Sequence, residues 1–121
     1  MTPVIKGVYV VDVTGIFPHR KTKHCICVSV GKNKYLPINT THRDEYNDFL
    51  INASDYKFLG GENRYVACSE LMTLHPDKLI KKAGQLSDVD AKNILAKLEK
   101  AKTIPKNDQY QVIAELARAL S

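Results

Sequence analysis

The stretch 25-CICVSVGKNKYLPIN-39 decides how this chain folds. Its first part, 25-CICVSV-30, reads as a strand, 31-GKN-33 supplies turn chemistry, and 34-KYLPIN-39 resumes an extended pattern. Two β-rich runs around a short glycine-containing connection predict an antiparallel hairpin. Side chains alternate along a strand, so Cys25 and Cys27 share one face while His24 takes the other with Ile26 and Val28. Pro37 has no N–H to donate, which places the second strand at a sheet edge or close to its own end.

Working outward, 8-VYVVDV-13 is an apolar, β-branched run broken by Gly15 and Pro18. The run 64-RYVACSEL-71 predicts another strand, and 56-YKFL-59 a short one inside the polar, turn-rich segment 40–63. This half predicts a small, curled antiparallel sheet. The second half changes period. Ser87 with Asp90 resembles a capping box. Ala91, Ile94, Leu95, Leu98 and Ala101 then recur at helical spacing, with Lys92, Lys97 and Lys100 beside them. The helix should stop before Pro105, and Asn107 should cap a second helix with a stripe of Tyr110, Ile113, Leu116, Ala117 and Leu120. The expected architecture is one α+β domain over 1–121, with a β part at 1–86, a helix at 87–104 and a further helix at 106–121.

A chain of 121 residues with 44% apolar and 26% charged residues has the composition of an ordinary globular domain. No apolar run reaches the roughly 20 residues that span a bilayer. The start, MTPVIKGVYVVDV, is too short and too broken for a secretory signal, so a cytoplasmic chain without membrane contact is expected. Three cysteines argue against a disulfide framework and read as buried thiols. A zinc site would need Cys68 and a fourth ligand beside Cys25 and Cys27, and His24 faces away from that pair. There is no glycine-rich phosphate loop, no metalloprotease His-Glu pair and no Gly-x-Ser-x-Gly turn, so neither metal nor cofactor is expected. The net charge of +5 permits an anionic partner, and its placement matters more than its sum. His19, Arg20, Lys21, Lys23 and His24 form one basic group, and Lys78, Lys81 and Lys82 another. Aromatic residues are 7% of the chain and tryptophan is absent, which argues against a dedicated base-stacking platform.

In an antiparallel pair the start of one strand adjoins the end of the next. Lys23 and His24 should therefore meet Asn39, Thr40 and Thr41 at one end of the sheet. Such a group suits RNA cleavage by internal attack. The 2′-hydroxyl must lose a proton, the phosphorane needs fixed cations and donors, and the 5′-oxygen must gain a proton. Lys23 is the candidate for charge stabilisation, His24 for acid/base work, and Thr40 for a hydroxyl donor. Arg20 and Lys21 would hold flanking phosphates. Each residue also has a plain alternative: a solvated lysine, a histidine capping the core, ordinary strand-end threonines.

The segment 64-RYVACSELMTLHPDKLIKKAGQLSDVDAKNILAKLEKAKTI-104 resembles the MazF/PemK (Kid, CcdB-like) family of endoribonuclease toxins from bacterial toxin–antitoxin systems. Within it, 69-SELMTLHPDKL-79 and 84-GQLS-87 carry the likeness, and 7-GVYVVDV-13, 23-KHCICVSV-30 and 36-LPINTT-41 are similar to the family's first three strands. The resemblance implies an SH3-like β-barrel with a closing helix, often a homodimer. It also implies a metal-independent endoribonuclease whose partners are RNA and a cognate antitoxin. Lys23, or its neighbour His24, matches the family's transition-state arginine, and Thr40 matches its strand-end threonine. Asn39, Thr41, Ser69 and Glu70 join Arg20 and Lys21 as substrate-binding candidates. The chain departs from the family pattern at three places. Lys23-His24 replaces an Arg-Pro pair, 16-IFPHRKT-22 replaces a Glu-x-x-Gly loop, and Ala67 and Ser69 stand where one branch has an ionisable Arg and Asp. The residues 105–121 extend beyond the usual family end. The alternative reading is a non-catalytic SH3-like barrel that binds RNA or a protein partner.

Overall fold

The computed structural model describes residues 1–121. Strands β1 (Gly7–Asp12), β2 (Thr22–Ser29), β3 (Lys34–Asn39), β4 (Asp48–Ile51), β5 (Arg64–Ala67), β6 (Met72–Thr73) and β7 (Leu79–Gln85) precede helices α1 (Asp88–Lys100) and α2 (Lys106–Leu120). The strands form a seven-stranded antiparallel sheet in the order β4-β5-β3-β2-β1-β7, with β6 paired to β3 off this path. The sheet stays open, with β4 and β7 as its edges.

The hairpin of β2 and β3 forms in the register Cys25↔Pro37, Ile26↔Leu36 and Cys27↔Tyr35. Asn33 closes its turn in the left-handed conformation that asparagine tolerates, at φ 55°. Pro37 sits in an interior strand that ends two residues later at Asn39, so of the two placements expected the nearby strand end holds and the sheet edge does not. Just past it, β3 leaves β2 and pairs through Ile38 and Asn39 with β5. The missing N–H therefore falls where the strand changes partner.

Alternation divides the apolar residues between two cores. Val8, Ile26, Val28, Leu36 and Ile38 pack with Ile94, Leu98, Val112 and Leu116 of the helices. Tyr9, Val11, Cys25, Cys27, Tyr35, Leu74 and Leu79 form a smaller core on the opposite face. The three cysteines are free and buried, and burial pushes the Cys25 and Cys68 thiols up to about 12 and that of Cys27 to about 11. Ile94 and Leu98 have no solvent exposure, so truncating either to alanine costs about 2–5 kcal/mol.

Helix α1 follows its predicted stripe and cap. The Ser87 hydroxyl accepts the Asp90 N–H at 3.2 Å. Tyr56 takes over the other half of the box, since its hydroxyl donates to Asp90 Oδ2 at 2.6 Å and accepts the Ser87 N–H at 3.0 Å. Tyr56 is buried for this purpose, and 57–59 is a 3-10 turn rather than the strand expected at 56–59. In α2 the cap residue is Pro105, not Asn107, and no side chain caps it. Val112 enters the core in place of Tyr110 and Ala117, both exposed. The helix lies against α1 and β2 of its own chain. No helix is long and apolar enough to cross a membrane.

Candidate functional site

Once β3 has turned toward β5, the start of β2 is paired on its β1 side only, through Asp12↔Thr22, Val11↔Lys23 and Val10↔His24. The strands splay, and a cleft of about 190 Å³ opens between them. Lys23 forms its floor, with Arg20 and Phe17 from the β1–β2 loop on one side. Asn39, Thr40 and Thr41 at the end of β3 line the next wall, and Arg43, Tyr46 and Glu70 complete it.

Lys23 is only 8% exposed, because its odd position turns its stem toward the face of Cys25 and Cys27. Its ammonium lies 5.0 Å from the centre of the Phe17 ring, and neither an ion pair nor a hydrogen bond holds it. Burial lowers its pKa, and the charge of Arg20 lowers it further, while Glu70 acts in the opposite direction. Burial raises the pKa of Glu70 against the pull of Lys23 and Arg43, with Asp48 adding to the rise. The cleft thus pairs a lysine that loses its proton more readily than usual with a carboxyl that keeps one longer.

The segment that carries Arg43 and Tyr46 is fixed from beneath. The Asp48 side chain is fully buried and accepts the Arg43 N–H at 2.6 Å, with the His42 ring 3.3 Å away. The Arg43 guanidinium lies 5.6 Å from the Tyr46 ring centre, and its nearest carboxylate is the exposed Glu45 at 4.0 Å. Both arginines of the cleft therefore keep their donors for a ligand.

The structure brings together Arg20, Lys23, Asn39, Thr40, Thr41 and Glu70. It places three other predicted residues elsewhere. His24 follows Lys23 by one position and so points through the opposite face, 6.1 Å from the Phe58 ring. A shared acid/base step with Lys23 is geometrically closed to it. Lys21 lines a neighbouring hollow formed by residues 14–21, which shares Phe17 and Arg20 with the cleft. The Ser69 N–H bonds to the Tyr46 carbonyl at 2.9 Å, a contact that shapes the wall without lining the cleft. Phe17, Arg43 and Tyr46 were not among the predicted residues. The signal for the last two was 40-TTHRDEY-46, where an arginine and a tyrosine follow closely on the threonines. No group of histidine, cysteine and acidic side chains is placed to hold a metal ion. No protein-family model matches the chain, and no curated protein aligns with it significantly.

Proposed function

We propose that this chain is an endoribonuclease of the MazF/PemK kind, cleaving single-stranded RNA in the cleft by attack of a 2′-hydroxyl on the adjacent phosphorus. The observation that carries the reading is Lys23, a cation 8% exposed with no protein acceptor, opening among hydroxyl, amide and guanidinium donors. A buried ammonium left without acceptors is costly, and a phosphoryl group would supply them. The 2′-oxygen bonds to phosphorus and its proton passes to the Glu70 carboxylate. The bond to the 5′-oxygen breaks, and that oxygen takes a proton from the Lys23 ammonium. The products are a 2′,3′-cyclic phosphate and a free 5′-hydroxyl. Thr40 and Thr41 donate to the phosphorane, Arg20 and Arg43 hold the adjoining phosphates, and Phe17 and Tyr46 offer ring faces to bases. Glu70 takes the acid/base role in place of His24.

The SH3-like barrel, the homodimer, the cognate antitoxin and a cytoplasmic place of action belong to the same proposal and rest on the family resemblance. A non-catalytic RNA-binding barrel is the second reading, favoured by Ala67 and Ser69 at the family's ionisable positions and by the absence of His24 from the cleft lining. Incubation with a long RNA in EDTA separates the two. The proposal expects cutting that slows by about 10² or more in Lys23→Ala and in Glu70→Gln. RNA bound but left intact favours the second reading, and RNA neither bound nor cut sinks both.

A further inference from the structure

The cleft leaves Lys21 and His24 outside it, yet both adjoin it through the backbone. Lys23 and His24 are one Cα step of about 3.8 Å apart and emerge on opposite faces of β2. On the His24 face, Val10 of β1 pairs with His24 on one side and with Lys81 of β7 on the other. Directly opposed residues point the same way, so the three form a row across β2, β1 and β7. Phe58 lies alongside this row, 6.1 Å from the His24 ring of β2 and packed onto Gly84 of β7, where a Cβ would collide with it. The guanidinium of Arg64, the first residue of β5, lies against Gly60 at the end of the turn that carries Phe58, and its charge acts on the imidazole. Burial, Arg64 and Lys81 all depress the pKa of His24, and no carboxylate is among the groups acting on it. Lys81 has no ion pair, and the acidic partner of Arg64 is the exposed Glu62 at 3.5 Å. This face thus sets a neutral imidazole and an unpaired lysine beside an aromatic ring, with Arg64 and its exposed Glu62 partner at the margin.

We propose that RNA leaving the cleft crosses the end of β2 at Lys21, and that His24, Arg64 and Lys81 hold the phosphates of its flanking nucleotides on the opposite face. This rests on the reading of the cleft as an RNA site. Single-strand surfaces combine a cationic path with ring faces on which bases stack, and both faces of β2 carry that pairing here. Continuity of the chain from Lys23 to His24 gives one strand access to both. The surface would also account for the basic run 19-HRKTKH-24, of which the cleft uses only Arg20 and Lys23.

The test measures binding of two single-stranded RNAs of about 4 and about 16 nucleotides, the range such sites span. Both RNAs carry 2′-deoxy substitutions to prevent cutting. The expected result is that Lys81→Ala and His24→Gln each lower the long-over-short affinity ratio about tenfold, and that the salt slope of the long RNA falls by about 0.7 in Lys81→Ala, where a charged phosphate contact is lost. An unchanged ratio in both variants overturns the proposal, as does displacement of the long RNA from the parent protein and from Lys81→Ala with equal ease by poly-glutamate. If the short RNA still binds and is lost in Lys23→Ala, only the second surface has failed. If the parent protein binds neither RNA, the cleft reading fails too.

Discussion

The two ends of the β2–β3 hairpin treat charge in opposite ways. At the turn, the Glu115 carboxylate from α2 accepts the Val30 N–H at 2.9 Å, the Gly31 N–H at 3.1 Å, the Gln111 side chain at 3.0 Å and the Ser29 hydroxyl. Lys32 and Lys34 add ion pairs to Asp108 at 3.5 and 3.4 Å. At the far end, Lys23 is more enclosed than the half-buried Glu115 and has no acceptor at all. A charge whose hydrogen bonds are all met by the fold is holding that fold together. One left unmet in a partly closed cleft is poised for something outside it.

This contrast can be broken most sharply at Lys23. Lys23→Ala should lower RNA cleavage by about 10²–10³, the size of losing one transition-state donor. Lys23→Arg should restore part of it, since the charge returns with a different geometry. A rate assay at fixed RNA concentration reads both. Next in size is the pH profile. Glu70 with its raised pKa must lose a proton to act as base, and Lys23 with its lowered pKa must keep one. Activity should therefore rise above the ordinary carboxylate range and fall below the ordinary lysine range, giving a narrowed bell. In Glu70→Gln the acid limb should vanish from the residual rate.

The turn end should respond in stability instead. Glu115→Ala should cost about 1–3 kcal/mol in a denaturant titration, because its donors lose a charged acceptor. Burial tends to raise the pKa of Glu115, but the hydrogen bonds from Ser29, Gln111, Gly31 and Val30 outweigh it and hold it low. A carboxylate with a lowered folded pKa stabilises above its unfolded pKa and loses that contribution as pH falls through the folded one. The parent protein should thus weaken from about pH 4.5 downward, and Glu115→Gln should flatten that limb. Smallest of all, Tyr110→Ser should change stability by less than about 0.5 kcal/mol, since the ring is 65% exposed.

Much of the hairpin and of α1 was legible because period and turn chemistry agree there. Alternation in 23–28 correctly separates Lys23 from His24, although the sequence reading still assigned them to one active site. β7 was missed because its exposed residues include Ile80, Lys81 and Lys82, a pattern with no clean period and suited to an edge that must resist pairing. β4 was hidden in a polar segment and is only four residues long. Tyr110 carried a helical period equally compatible with the stripe on Val112, and only the rotation of α2 against β2 decides between them. The partner change of β3 at Pro37 was the hardest feature to foresee. The proline announced an irregularity, but which strand lay beyond it depended on long-range pairing.

The most direct measurement follows one variant in two assays. Lys23→Met keeps the length of the buried stem and removes the unpaired ammonium. This variant should bind a 2′-deoxy-substituted single-stranded RNA at least about tenfold more weakly, since a charge-assisted contact to phosphate is lost. Its thermal midpoint should be no lower than that of the parent protein, because no internal partner is left behind. A variant that unfolds more easily and binds the RNA as well as the parent would contradict the account, for Lys23 would then be serving the fold and not the cleft.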